Sequence, residues 1–312
     1  MKVVVTGGAG FIGANLCRRL RARNHEVVVV DDLSTGNQSN LDGIDVELVV
    51  GSVCRTDVLD QAMPGADAVV HLAALGSVPR SVADPETSYH VNATGTLNVL
   101  EAARRHGNVH MLLAGSSSVY GSNPVLPKHE ELATRPMSPY AASKLAAEGC
   151  VVGWGASYGL PVLPFRFFNV FGPLQPAGHA YAAVIPSFVD AALRGEPVTV
   201  HGDGTQSRDF TSVASVIAVL TDAVERRVTS AGPVNLAFGT RVSLLDVLEQ
   251  IESMLGAPVR RNHTDRRAGD VPHSQADTTR LRELFPDIAP VPFEDGLGAT
   301  VDWMRSTIDA AR

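Results

Sequence analysis

Positive charge, cysteine and long apolar runs are all scarce in this 312-residue chain. Lys and Arg number 26 against 33 Asp and Glu, a formal net charge of −7 at pH 7. That balance argues against nucleic acid or an anionic membrane surface as the main partner. The three cysteines, Cys17, Cys54 and Cys150, are odd in number and lack metal-ligand spacing. Reduced thiols in the cytoplasm, and no metal site, are therefore expected. No apolar run reaches membrane-spanning length, and the first residues already read as a strand, so neither a membrane span nor a signal peptide is expected. Internal repeats, low-complexity tracts and long charge runs are missing too. What remains is ordinary globular composition, 45% hydrophobic and 19% charged, with room for about two domains.

The stretch Met1 to Asp32 organises the rest. A β-branched run (Val3, Val4, Val5) leads into Gly7, Gly10 and Gly13. A helix-like segment follows, then a second apolar strand, Val27 to Val30, ending at Asp31. Strand, glycine turn, helix, strand and acid in this order form a dinucleotide-binding unit. The glycines let the backbone approach a pyrophosphate, which is held at the positive helix N-terminus. Asp31 accepts from the adenosine ribose hydroxyls and repels a 2′-phosphate, which points to NAD rather than NADP.

Further strand-like segments at Val46–Val50, Ala68–Leu72, Val109–Ala114 and Leu160–Phe168 alternate with helix-like ones. This alternation predicts an α/β fold, a Rossmann-type doubly wound parallel sheet covered by helices on both faces. After about residue 170 the texture changes to glycine and proline punctuation, with short strands at Val198–His201 and Val234–Phe238 between helices. The expected division is an NAD-binding domain over residues 1–170, with part of 205–240 returning to it, and a smaller mixed α/β substrate domain over 171–312. Pro164 inside an apparent strand predicts a bulge or an edge nearby. Gly149, Gly153 and Gly155 in an alanine-rich helix predict close helix packing.

Ser138 reads as an N-cap and Pro139 as the first residue of a helix. Tyr140 and Lys144 then share one face, four residues apart. An ammonium beside a phenol favours the phenolate, lowering its pKa toward that of a useful general base. Directly after the strand ending at Ala114 comes the hydroxyl-rich turn Ser116-Ser117-Ser118, placed to reach the oxygen whose proton Tyr140 handles.

TGGAGFIG (Thr6–Gly13), DDLSTG (Asp31–Gly36), HLAA (His71–Ala74), SSSVYG (Ser116–Gly121), YAASK (Tyr140–Lys144), RFFNVFGP (Arg166–Pro173), the segment Arg208-Asp209-Phe210 and RRAGD (Arg266–Asp270) occur together. As a set spanning nearly the whole chain, they resemble the extended short-chain dehydrogenase/reductase family, and within it the UDP-sugar 4-epimerases. The resemblance implies that Tyr140 takes the proton of the sugar 4-hydroxyl while hydride passes from C4 to NAD, and that the 4-keto sugar rotates before receiving it back. It further implies catalytic roles for Tyr140, Lys144, Ser116 and Ser117. NAD would be held by Gly7, Gly10, Phe11, Ile12, Gly13, Asp31, Asp32, Ser34, Leu72, Ala73, Ala74, Asn92, Tyr140 and Lys144. The UDP-sugar would meet Ser77, Arg80, Ser118, Asn169, Arg208, Arg267, Asp270 and Ser274, with backbone near Val184, Ile185 and Val200 framing the uracil. Helices around Thr94–Arg104 and Tyr140–Cys150 would pair across a two-fold axis in a homodimer. Ser52 and Ala214 stand where relatives commonly carry acids.

Dehydratases of this family carry an acid inside the serine motif, and decarboxylating relatives commonly carry a glutamate there. Here no Asp or Glu lies between Ala114 and Gly121, which favours epimerisation. Ser274, at the position of a gatekeeper against the pyranose, leaves room for a 2-acetamido group. UDP-GlcNAc/UDP-GalNAc and UDP-glucose/UDP-galactose are the expected substrates, and UDP-glucuronate is the alternative. Pro176 replaces an arginine common in relatives that handle glucuronate, so Arg80 or serine hydroxyls would have to receive the carboxylate. A 4,6-dehydratase and a non-catalytic NAD sensor are the further alternatives, the latter disfavoured by the presence of both Tyr140 and Lys144.

Overall fold

The structure, a computed structural model, describes residues 1–177, 183–265 and 271–310. Its centre is β1 (Lys2–Thr6), whose valines divide between two cores because successive side chains of a strand point to opposite faces. Val3 and Val5 pack with Leu16, Leu20 and Val29 on one face. Val4 packs with Val28, Val30 and Leu100 on the other. A strand buried on both faces needs an unbroken apolar run, which explains the pattern of the first residues.

After β1 come α1 (Phe11–Ala22), β2 (Glu26–Asp31), β3 (Glu47–Val50), α2 (Thr56–Ala62) and β4 (Ala68–His71). Two short helices, α3 (Val78–Ala83) and α4 (Pro85–Tyr89), then lead through a widened turn at His90–Thr94 into α5 (Gly95–Arg105). β5 (His110–Ser116), α6 (Pro139–Tyr158) and β6 (Val162–Phe167) complete the first half. Among the described residues the main sheet has seven parallel strands, in the order Val234–Leu236, β6, β5, β4, β1, β2, β3. Strand order reverses between β1 and β4, and that switch point opens the crevice in which such sheets bind ligands. The fold is the expected Rossmann-type one.

The late strand Val234–Leu236 joins this sheet beside β6. The helix Val213–Glu225 also packs into the first core, through Val216, Leu220 and Val224. A separate core is built from helices Val184–Leu193, Leu244–Leu255 and Phe293–Ala310 around the parallel pair Val198–His201 and Arg261–Thr264. Phe171, Phe210 and Phe293 pack there with ring centroids 5.2–6.2 Å apart.

Pro164 finds its edge locally. The carbonyls of Pro161 and Val162 accept from opposite sides, from Met111 of β5 and from Ser230. By alternation Pro164 faces the Ser230 side, where Val234–Leu236 joins β6 only from Phe165 onward, so its missing N–H breaks no ladder bond. The three helix glycines divide. A Cβ at Gly155 would lie 2.7 Å from Val162 Cγ2, whereas one at Gly149 or Gly153 would meet nothing within 4 Å. Packing inside the chain therefore explains Gly155 and not the other two.

Candidate functional site

The glycine turn is shaped by close approach. Gly7 adopts φ +71°, and a Cβ there would come within 2.7 Å of the Ala73 nitrogen. At Gly13 a Cβ would lie 2.2 Å from the Gly7 carbonyl oxygen. Gly10 is the N-cap of α1 and offers no side chain to its first turn, so the free amides there remain available to a phosphate. The buried Asp31 carboxylate accepts from the amides of Ala9 and Leu33, each at 2.9 Å. Burial pushes its pKa up and these two amides oppose the shift. Asp31 thus ties the glycine turn to the end of β2, and each of its oxygens retains a lone pair for a ribose hydroxyl.

A cavity of about 330 Å³ lies over this turn. Gly7, Gly10, Phe11, Ile12, Gly13, Asp31, Asp32, Ser34, Leu72, Ala73 and Ala74 line it, joined by Ser52, whose hydroxyl accepts from Cys54 N at 3.2 Å. A glycine cradle at a helix N-terminus with a carboxylate at the next strand end fits the pyrophosphate and ribose of NAD. Asn92 is not in that wall. Its side chain accepts from Leu75 N at 2.8 Å and donates to Ser143 Oγ at 3.0 Å, bracing the loop after β4 against α6. His71 is neutral, its pKa pulled down to about 3 by burial and by Lys144; it spans Thr6 Oγ1 at 2.6 Å and Thr96 Oγ1 at 3.0 Å.

A second cavity of about 720 Å³ shares Phe11, Ile12, Leu72, Ala74, Gly76 and Ala114 with the first, so the two form one cleft. Ser138 caps α6 by accepting from Ala141 N at 3.1 Å, with Pro139 next in the chain. That start aims Tyr140 and Lys144 into the cleft, where both line the wall with Ser116, Ser117 and Ser118. Buried Lys144 donates from Nζ to the Ala114 carbonyl at 2.8 Å, pinning α6 to the end of β5. Ser116 Oγ lies 2.8 Å from Ser118 Oγ. The electrostatics differ from the expectation. Desolvation pushes the Tyr140 phenol up, opposed by a hydrogen bond with Ser116, and pulls Lys144 down to about 8. Burial moves each group toward its neutral form, opposing the phenolate that a general base requires.

Asn169, Arg208 and Ser274 also line this cavity. Arg208 Nη1 donates to the carbonyls of Ser207 and Pro272, and Asn169 holds φ +30° with its amide on the Asp209 carbonyl at 3.2 Å. The structure does not bring every expected residue here. Ser77 and Arg80 are absent from the wall, and the Ser77 hydroxyl caps α3 by accepting from Arg80 N at 3.2 Å. Val184, Ile185 and Val200 pack in or against the second core. Arg267 and Asp270 lie outside the described residues.

The wall also contains Lys128, Met137, Gln175 and Val271, which the motifs did not indicate. Behind it, Arg166 forks onto Glu148 at 2.7 and 2.8 Å and stacks over Tyr120 at 4.7 Å, while Tyr120 donates to Asn235 at 2.6 Å. This buried network joins α6 to β6 and to Val234–Leu236. Arg166 and Tyr120 stand inside two of the motifs, but nothing in their spacing announces the pairing.

Comparison with known proteins agrees with this geometry. Residues 3–237 match the NAD dependent epimerase/dehydratase family. The chain is 34% identical over 319 residues to a UDP-glucose 4-epimerase of Mycolicibacterium smegmatis, covering 98% of this chain and 99% of that protein. It is 34% identical over 323 residues to a dTDP-glucose 4,6-dehydratase of Streptomyces niveus, covering 98% and 93%. Among solved structures, a UDP-N-acetylglucosamine 4-epimerase from Methanobrevibacter ruminantium in complex with UDP-N-acetylmuramic acid superposes with a TM-score of 0.93 at 36% identity, over 98% of both chains. The chain belongs to the NAD dependent epimerase/dehydratase family of extended short-chain dehydrogenases/reductases.

Proposed function

We propose that this protein is an NAD-dependent UDP-hexose 4-epimerase in which Tyr140 handles the proton of the 4-hydroxyl. The carrying observation is the wall of the sugar-side cavity, which contains no Asp or Glu among the described residues. Elimination of the 6-hydroxyl needs an acid near the leaving oxygen, whereas epimerisation needs only one group that takes and returns a proton. NAD, when bound, supplies a positively charged ring that accepts the C4 hydrogen as hydride and gives it back to the opposite face. Tyr140 takes the 4-hydroxyl proton in the first half-reaction and restores it in the second. Its raised pKa suits the second step, and added positive charge in the cleft favours the phenolate that the first requires. Ser116, bonded to the phenol, orients the reacting oxygen with Ser117 beside it. Lys144 holds α6 on β5 and is placed to bind the ribose of the dinucleotide.

The first core, including Val234–Leu236, carries the dinucleotide and the second carries the UDP-sugar. Arg208 suits the diphosphate, and small Ser274 leaves space beside the pyranose. We place 2-acetamido and neutral hexoses first, with a uronate as the alternative. The three unpaired cysteines fit a reducing cytoplasm. The homodimer reading is supported by a groove of about 500 Å³ lined by Pro85, Glu86, Tyr89, His90, Pro139 and Ala142. Within it Tyr89 is 50% exposed, and Gly149 and Gly153, where an added Cβ would meet nothing within 4 Å, lie on α6. The deciding experiment incubates the NAD-loaded protein separately with UDP-glucose, UDP-GlcNAc and UDP-glucuronate and resolves the products. A 4-epimer at constant NADH is expected. A 4-keto-6-deoxy sugar, or no conversion of any of the three, refutes the proposal.

A further inference from the structure

Lys128 is 4% exposed and lines the sugar side of the cleft, yet nothing in the proton chemistry uses it. Its backbone is secured on both sides. The N–H donates to Gln275 O at 2.8 Å, while the carbonyl accepts from Asp277 N and Asn235 Nδ2, each at 2.8 Å. This strand-like bridge runs beside Ala276, so Lys128 lies close to Ser274. The head is located as well. Nζ donates to the carbonyl of Asn123, in the turn that follows Gly121. That turn is itself held, with Asn123 N on the Tyr120 carbonyl at 3.0 Å and Asn123 Nδ2 on the Ala133 carbonyl at 3.0 Å. Ser118, Gly121, Lys128 and Ser274 all contribute to the same wall.

An ammonium has three donors, and the one carbonyl engages one of them. No carboxylate pairs with Lys128 among the described residues, and burial alone pulls its pKa down. A buried charge without a counter-charge is costly unless something in the finished complex compensates it. Filling the same volume with an apolar side chain would avoid that cost.

We propose that Lys128 is a specificity residue that donates to an acceptor oxygen on a ring substituent of the UDP-linked sugar. The acceptor is the carbonyl of an acetamido group or the oxygen of a ring carboxylate. Both present a stronger, more directional acceptor than a ring hydroxyl; they leave the pyranose from opposite sides, at C2 and at C5, so the sugar that gains from Lys128 also reports which edge of the ring faces this wall. The inference rests on the UDP-hexose reading and adds the feature of the sugar that the wall selects.

The test compares wild type with Lys128→Met, which keeps the length and apolar stem, and with Lys128→Gln, which keeps a neutral donor. kcat/KM is measured for UDP-glucose, UDP-GlcNAc and UDP-glucuronate, and Kd for the same sugars and for UDP. Wild type should prefer a substituted sugar over UDP-glucose, and Lys128→Met should cut that preference about tenfold or more, as loss of a charge-assisted hydrogen bond implies. Lys128→Gln should retain the preference if the acceptor is an acetamide and lose it if the acceptor is a carboxylate. The proposal is overturned if wild type shows no such preference. It is equally overturned if Lys128→Met leaves the preference unchanged, or if all sugars and UDP itself weaken together, as a merely structural lysine would give. Failure of the epimerase reading shows separately, as absence of 4-epimer from wild type, and the preference is then read from Kd.

Discussion

Replacing Tyr140 by phenylalanine isolates one oxygen in the site. The other titratable side chains in the described wall of the sugar cavity are Tyr120, Lys128, Lys144 and Arg208. None stands in readily. The Tyr120 hydroxyl is committed to Asn235 at 2.6 Å, with its pKa pushed up to about 12 by burial, and Lys144 is engaged by the Ala114 carbonyl at 2.8 Å. With no ready substitute for the proton carrier among the described residues of that wall, the cost should lie well inside the range of about 10² to 10⁴ that general acid–base catalysis supplies. We expect kcat to fall by about 10³, or ~4 kcal/mol of barrier. Stability should change little, by about 1 kcal/mol or less, because Ser116 keeps its partner Ser118 at 2.8 Å when the phenol is lost. The assay pairs product resolution on the best UDP-sugar with calorimetric binding of the same compound and a thermal melt. Turnover near wild type would refute the assignment of the proton carrier. A collapse of binding or of the melt alongside turnover would show that the oxygen is structural.

Ser274→Tyr should place a ring in the sugar-side wall and reduce kcat/KM for UDP-GlcNAc more than for UDP-glucose by about tenfold; equal loss on both sugars removes the gatekeeper argument. Glu225, bonded to Arg23 at 2.8 and 2.9 Å and to His25 at 3.0 Å, has its pKa held down at about 2. A depressed carboxylate stabilises the fold above its unfolded pKa, and that contribution is lost as pH falls from about 4.5 toward 2. Glu225→Gln should therefore flatten the stability–pH curve in this window, as read by denaturant midpoints, and an unchanged slope contradicts the pairing. Ala142→Arg, on the exposed side of α6, should turn a sedimenting dimer into a monomer without unfolding it; a wild type that is already monomeric at micromolar concentration sinks the dimer reading.

The order of strand, glycine turn, helix and acid follows from the sequence by itself, because each element there is a local matter. Val3–Val5 needs burial on both faces, Gly7 needs a positive φ, and Tyr140 and Lys144 share a face through the helical repeat alone. Sequence also indicated that Pro164 needed a local edge, since a missing N–H is a property of one residue. The tertiary structure decided what depends on distant segments meeting. It set Val234–Leu236 against β6 in its register, turned the Asn92 and Ser77 side chains to bracing and capping, and packed the Val200 side chain into the second core. It also brought burial to bear on the reactive pair, because a pKa in a cleft answers to desolvation, and desolvation is set by every segment that closes over the group. Lys128 belongs to the same class. A lone lysine in a loop reads as solvated until the strand beside Ser274 and the turn after Gly121 fold around it.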